Sequence, residues 1–179
     1  AQQDLQLNAQ QSLDNAFGLL GAGERLSVSS GGEWDNRAGA AQGGTAVTAA
    51  AARLDNRDGR LQSGGDLQLS TTGDVLNQAG RLTAQQALKW QGGADSGLNN
   101  DGGSLQSGGL LSLTVGQLSN RQQGVALSQQ ALSLALTGER NNQGGTLTGS
   151  GDTAIRAAAL HNERGATNAL GRLGSRLAE

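Results

Sequence analysis

The chain contains no cysteine, proline, methionine or tyrosine, and only one phenylalanine and two tryptophans. Without cysteine there is neither a disulfide framework nor a thiolate metal site. That fits the cytosol, and equally a secreted bacterial protein that must cross membranes unfolded. Without proline the backbone is free to be regular almost throughout. No apolar run approaches the roughly 18 residues that a membrane-spanning helix needs. There is no basic tract and the net charge is only −2, which argues against nucleic acid as the partner. Neither an initiator methionine nor a signal peptide is visible, so the sequence reads as a piece of something longer. Hydrophobic residues make up 35 % and aromatics 2 % of the 179 residues, too little for an ordinary globular core. Such a composition favours disorder when the net charge is high; here the charge is small and the leucines fall in regular order.

What is present is glycine, 30 copies of it, and a repeat. With Gly59 as origin, Leu54, Leu61, Leu67 and Leu69 lie at −5, +2, +8 and +10, with Asn56 at −3. The same frame fits Gly18, Gly39, Gly80, Gly103, Gly145 and Gly165, and also Gly124 with one extra residue before it. Trp34 and Trp90 occupy apolar positions of the frame, whereas Arg140 and Thr153 replace two of them around Gly145. The origin glycines are separated by 21, 20, 21, 23, 21, 21 and 20 residues.

Within a unit the spacing is that of strands. Leu67 and Leu69 are two apart, as on a strand with one face buried. Leu61 and Val75 sit in two further short extended pieces, and Gly64-Gly65, Thr72-Gly73 and Ala79-Gly80 mark corners, where glycine would accept a positive φ. Three short strands and three turns make one coil of a triangular solenoid. The expected fold is all-β: a right-handed parallel β-helix of about 8 coils of roughly 21 residues. At a strand spacing of about 4.8 Å it forms a rod roughly 40 Å long. The repeat array is placed at residues 1–165. The tail 166–179 leaves the frame, and Leu170, Leu173 and Leu177 fit either a capping helix or a distorted ninth coil.

Two columns carry the candidate site residues. Asn15, Asn36, Asn56, Asn77, Asn100, Asn120, Asn142 and Asn162 occupy equivalent corners, and stacked amides can pass hydrogen bonds from coil to coil. Asp14, Asp35 and Asp55 share the −4 position. Neighbours there would be about 5 Å apart and alternate members about 10 Å, which overlaps the spacing of glycosidase carboxylate pairs. The plainer reading is a solvated turn whose charge Arg37 and Arg57 balance. Gly92-Gly93-Ala94-Asp95 and Gly64-Gly65-Asp66 echo a calcium β-roll without its nine-residue period. His161 is the only histidine, so a transition-metal site lacks ligands. No catalytic residue, metal or cofactor is expected. Trp34 and Trp90 are placed in the core and Phe17 on the surface. The longer stretch from Gln91 to Gly97 and the extra residue in Arg121-Gln122-Gln123 suit either corner insertions or contacts to a partner.

The pattern Leu-x-Asn-x-x-Gly-x-Leu followed by Leu-x-Leu resembles the haemagglutinin repeats of filamentous haemagglutinin. It is equally similar to repeats in the large effectors of contact-dependent growth inhibition. The resemblance covers residues 13 to about 165. It implies a two-partner secretion exoprotein, exported through an outer-membrane partner and folded on the bacterial cell surface as a long β-helix. There the repeats act as a shaft stacked on neighbouring coils of the parent filament. Any host or target-cell receptor would be engaged through other domains. The family's secretion and toxin domains have no counterpart here, so neither activity is implied. The alternative is a carbohydrate-binding or carbohydrate-cleaving β-helix that uses the Asp column.

Overall fold

In the computed structural model, which describes residues 3–177, the chain winds into a parallel β-solenoid with no helix among the described residues. One coil shows the plan: Asp66–Thr71 forms the first wall, Val75–Leu76 the second and Arg81–Ala84 the third. Every wall pairs in parallel with its copy one coil away. Leu67 aligns with Leu88, Val75 with Leu98 and Leu82 with Leu105. Third-wall strands form an eight-stranded sheet, and the other two walls form a fifteen-stranded one. They count as one sheet because Arg25–Asp35 and Ala46–Asp55 run through both without a break.

Alternation along each strand decides what is inside. Leu67 and Leu69 are buried while Gln68 between them is exposed, and in the next coil Leu88 and Trp90 are buried around exposed Lys89. The core is therefore a set of columns: Leu26, Val47, Leu67, Leu88, Leu111 and Leu132 line one of them and lie in register. Trp34 and Trp90 are 0 % and 2 % exposed, and Phe17 is 85 % exposed. Because each leucine stacks on leucines above and below, a rod only one coil wide buries its apolar side chains without a globular interior.

The origin glycines serve a different purpose from the positive φ expected of them, which among the described glycines only Gly102 and Gly144, one residue earlier in their turns, adopt. At the turn Asn56-Arg57-Asp58-Gly59, the Gly59 N–H donates to the Asn56 carbonyl at 3.1 Å and the left-handed residue is Asp58, with φ 56°. That is a type II turn with a non-glycine residue at its third position. Phe17, Ala38, Ala79 and Arg164 hold the equivalent place at φ 51–56°. Gly59 is needed for closeness instead: a Cβ on it would collide with the Asn36 carbonyl oxygen of the preceding coil and lie 2.7 Å from Asn56 Oδ1.

The two irregular stretches fold back onto the solenoid. Ser96 is fully buried; its Oγ donates to the Gly93 carbonyl at 2.6 Å, and the Ala94 carbonyl accepts from Thr137 Oγ1 at 2.9 Å. At the other, Gln122 and Gln123 both take positive φ, and the Gln123 N–H donates to the Gly144 carbonyl at 3.1 Å. The segment after residue 165 is strand and not helix. Ala166–Ala169 pairs with Thr146–Gly149, and Leu173–Leu177 pairs with Thr153–Ala157, so Leu173 continues the Thr153 column. Leu170 and Leu173 are 82 % and 53 % exposed.

Adjacent corner residues should therefore respond in opposite directions. Ala79→Gly relieves a left-handed alanine and is expected to raise stability by about 0.5–1 kcal/mol, the strain relief exceeding the added freedom of the unfolded chain. Gly80→Ala drives a methyl group into the Asn56 carbonyl and is expected to cost more than about 2 kcal/mol. Urea unfolding of both variants checks this; a Gly80→Ala protein as stable as the parent would remove the close-approach argument.

Candidate functional site

The asparagine corners form one continuous chain of amides. Asn15 Nδ2 donates to Asn36 Oδ1, Asn36 to Asn56, Asn56 to Asn77, Asn77 to Asn100 and Asn100 to Asn120, each at 2.7 Å. Asn120 to Asn142 and Asn142 to Asn162 follow at 2.8 Å. The six from Asn36 to Asn142 are fully buried, Asn15 is 7 % exposed, and Asn162 at the last corner is exposed. The second amide proton of Asn56 is shared between the Gly59 and Arg81 carbonyls, both at 3.3 Å. Each side chain thus adds a donor at corner carbonyls, beside the backbone N–H of Arg81 that also reaches the Gly59 carbonyl at 2.9 Å, and buried polar groups left without partners are costly.

The aspartate column is a set of ion pairs. Asp14, Asp35 and Asp55 lie in register. Arg37 Nη2 sits 2.5 Å from Asp35 Oδ2, Arg57 Nη2 sits 2.6 Å from Asp55 Oδ2, and Arg37 Nε reaches across to Asp55 at 3.8 Å. Asp35 and Asp55 also accept the backbone N–H of Arg37 and Arg57, at 3.0 and 3.1 Å. The solvated-turn expectation is corrected for Asp55, which is only 3 % exposed. Its burial is possible because two guanidiniums cover it. Asp14 has alanine, not arginine, two residues on; it is exposed and accepts the Ala16 N–H at 2.8 Å. Hydrogen bonding to the Arg37 side chain holds the Asp35 carboxyl below the usual range, against a smaller opposing effect of burial.

Other carboxylates do similar work that the repeat frame did not single out. Asp101 is 7 % exposed and accepts Ser119 Oγ at 2.6 Å, the Arg121 N–H at 2.8 Å and Arg121 Nη2 at 2.8 Å. Burial pushes its carboxyl up, but hydrogen bonds from Ser119 and Arg121 and the arginine's charge outweigh that and hold it low. Asp4, Asp66, Asp74 and Asp152 each accept a backbone N–H from the next coil, those of Arg25, Ala87, Gly97 and Arg172, at 2.8–3.0 Å. Ser63, Ser107 and Ser128 are buried at the end of the third wall, and their hydroxyls donate to the Asp66, Leu110 and Ala131 carbonyls at 2.7–2.9 Å. The signal was in the sequence: position +4 holds only Ala, Gly or Ser in every coil.

His161 is exposed, with its Nε2 4.0 Å from Glu139. Among the described residues, no group of three His, Asp or Glu side chains is placed to hold a metal ion. Shallow depressions of about 380 and 410 Å³ lie on the outer faces of the first and second walls, one around Gln68, Lys89 and Ser112, the other around Asp74, Asn99 and Glu139.

A coil-stacked rod whose amides, hydroxyls and carboxylates bind its own corners defines a repeat protein of the parallel β-solenoid class. The sequence profile of the haemagglutinin repeat matches residues 1–33, 23–92 and 79–175, and the chain belongs to that family. Comparison with curated proteins and with solved structures gives no match.

Asn56→Ala is expected to cost about 1–3 kcal/mol, because buried Asn77 Oδ1 loses its ladder donor and Asn36 Nδ2 its ladder acceptor. Asn56→Asp should cost more, since it sets a carboxylate against the Asn77 oxygen. Denaturant midpoints test the order, with exposed Asn8→Ala as the near-neutral control.

Acid should loosen the corners in a defined window. Asp35 and Asp101 titrate lower in the folded state than the unfolded value of about 3.9. Their stabilisation is fully present above that value and is lost as pH falls through the folded values. Melting temperature should hold between pH 5 and 7, values of about that order bracketing the plateau, and drop below about pH 4. The drop should be smaller in a protein carrying Asp35→Asn and Asp101→Asn together.

Proposed function

We propose that this chain is a shaft segment of a secreted bacterial surface adhesin or contact-dependent growth inhibition exoprotein, holding other domains away from the cell. The observation that carries the reading is the unbroken Asn15-to-Asn162 ladder running beside a continuous leucine core. A module built this way gains length by adding identical coils, which is what a spacer requires. Membership of the haemagglutinin repeat family supports a filament of the adhesin type. Its partners on this reading are neighbouring coils of the parent filament and the outer-membrane protein that exports it. Receptor contact falls to other domains, and the site of action is the bacterial surface.

The carbohydrate alternative needs free carboxylates. Asp35 and Asp55 are tied to Arg37 and Arg57, which leaves Asp14 as the only exposed, unpaired member of that column. The shaft reading is therefore favoured.

Removal of one whole coil tests it. Deleting residues 57–77 joins Asn56 to Gln78 and takes out a single repeat in frame. A shaft is expected to refold one coil shorter, by about 4.8 Å in small-angle scattering, with no saturable binding to neutral or acidic oligosaccharides before or after. Saturable sugar binding by the parent protein that Asp35→Asn abolishes would favour the alternative.

A further inference from the structure

The edge where the third wall turns into the first carries a pattern that the stacking of the rod does not use. In successive coils the two residues at that corner are Gly64-Gly65, Gln85-Gln86, Gly108-Gly109, Gln129-Gln130 and Ser150-Gly151. Glutamine pairs and small residues therefore alternate from coil to coil. The backbone keeps its spacing through the corner. The Gln86 N–H donates to the Gly65 carbonyl at 3.1 Å, Gly109 to Gln86 at 2.8 Å and Gly151 to Gln130 at 2.6 Å. These coils have further coils on both sides, so the openness of this edge owes nothing to the ends of the chain.

Gln85, Gln86, Gln129 and Gln130 are exposed, and among the described residues none of their side-chain amides is hydrogen-bonded. Between the two pairs Gly108 and Gly109 are half-buried, and a depression of about 490 Å³ opens over them, rimmed by Gln85, Gln86 and Gln130. A Cβ on Gly108 would collide with the Gln85 carbonyl oxygen, so the corner backbone itself keeps this notch empty. The glutamine pairs stand two coils apart, about 9.6 Å. At half that spacing the buried asparagine amides bond to one another at 2.7–2.8 Å. The edge is an amide ladder with every second rung missing.

We infer that this edge is a lateral interface for a second copy of the chain, displaced by one coil so that the glutamine pairs of each rod fill the glycine notches of the other. The occupant follows from spacing and charge. The missing rungs call for amides repeating at about 9.6 Å, and the same edge of a second rod presents them. The ridges and notches are uncharged, and the charges bordering them, Asp66 and Lys89, are of opposite sign, so like rods meet without repulsion. Consider an antiparallel pair with its two-fold axis between the coils of Gly80 and Gly103. Gln85-Gln86 of each rod then lies in the Gly108-Gly109 notch of the other, and Gln129-Gln130 in the Gly64-Gly65 notch. One surface is complementary to itself, as a two-fold interface requires.

A contact one edge wide holds weakly, so chemical cross-linking is the sensitive readout. The chain has no cysteine, and a single introduced thiol therefore reports the geometry. In Gln86→Cys the two thiols of a pair lie on one edge, one coil apart, within reach of a short bis-maleimide. Gln62→Cys, exposed on the third wall, is the control for random collision. The first variant should form covalent dimer at least about tenfold faster, because paired rods hold their thiols at a raised effective concentration. Adding Gln129→Ala and Gln130→Ala removes a ridge and leaves the rod ends unaltered, and it should abolish most of that advantage. Small-angle scattering of the parent at rising concentration should show the cross-section growing at constant length. Equal cross-linking rates at positions 86 and 62 would overturn the inference. So would an advantage that survives both alanines, or growth in length without growth in cross-section.

Discussion

Along its strands each coil satisfies its backbone polar groups by reaching to the coil above or below, at the spacing of parallel strands. Everything else in the molecule follows from that distance. The strand ladders meet it through backbone N–H and C=O groups in three walls. At the corners some backbone bonds continue, as from the Asn36 and Ala38 N–H to the Asp55 and Arg57 carbonyls, and side chains of the right length add to them. An asparagine amide carries a donor and an acceptor at its tip, so one residue can receive from one coil and give to the next. Gly59 and its equivalents let the corner backbone come close enough for those amides to meet, because the space a Cβ would fill is occupied by the carbonyl oxygen of the preceding coil.

The same constraint explains how a chain with so few large apolar residues folds. A globular core must fill space in three directions. Here a column such as Leu67, Leu88, Leu111 and Leu132 fills it in one, each leucine covering the next. Some charged groups are drawn into this order instead of being left to solvent. Asp55 is buried because Arg57 folds back on it from two residues away and Arg37 leans over from the neighbouring coil. Asp101 is buried because the coil register sets Ser119 and Arg121 against it, one on each side of Asn120. Insertions in this rod are accommodated by new coil-to-coil bonds, as the Thr137 contact to Ala94 also shows.

The repeat frame was legible because period and position carry the same information in every coil: Asn at −3, Gly at the origin, Leu or its substitute at −5, +2, +8 and +10. One family of contacts repeated eight times is read from spacing alone, and the coil count, the inward tryptophans and the exposed Phe17 all follow from it. What escaped was whatever depends on how a side chain bends. The left-handed conformation belongs to the residue before the glycine, where Phe17, Ala38 and Asp58 share no chemistry that a sequence reader would notice. The cross-coil carboxylates Asp4, Asp66 and Asp152 share the position just before the first wall, but other coils carry Arg25, Ala46 and Ala87 there, so the class was not singled out; Asp74 holds the matching place before the second wall.

By itself, then, the sequence determined the architecture: parallel coils, their number, which residues face inward and which amides stack. Those are properties of periodicity, and a period of about 21 residues with alternating leucines has few other ways to bury its apolar face. Only the folded structure decided the electrostatics. Whether an aspartate is solvated, as Asp14 is, or buried under arginines, as Asp55 is, turns on which neighbour stands two residues along and one coil away. Whether the tail became a helix or another strand was equally undecided, because Leu170, Leu173 and Leu177 fit both spacings. The free strand edges of Thr146–Gly149 and Thr153–Ala157 supplied the hydrogen-bond partners that made strand the outcome.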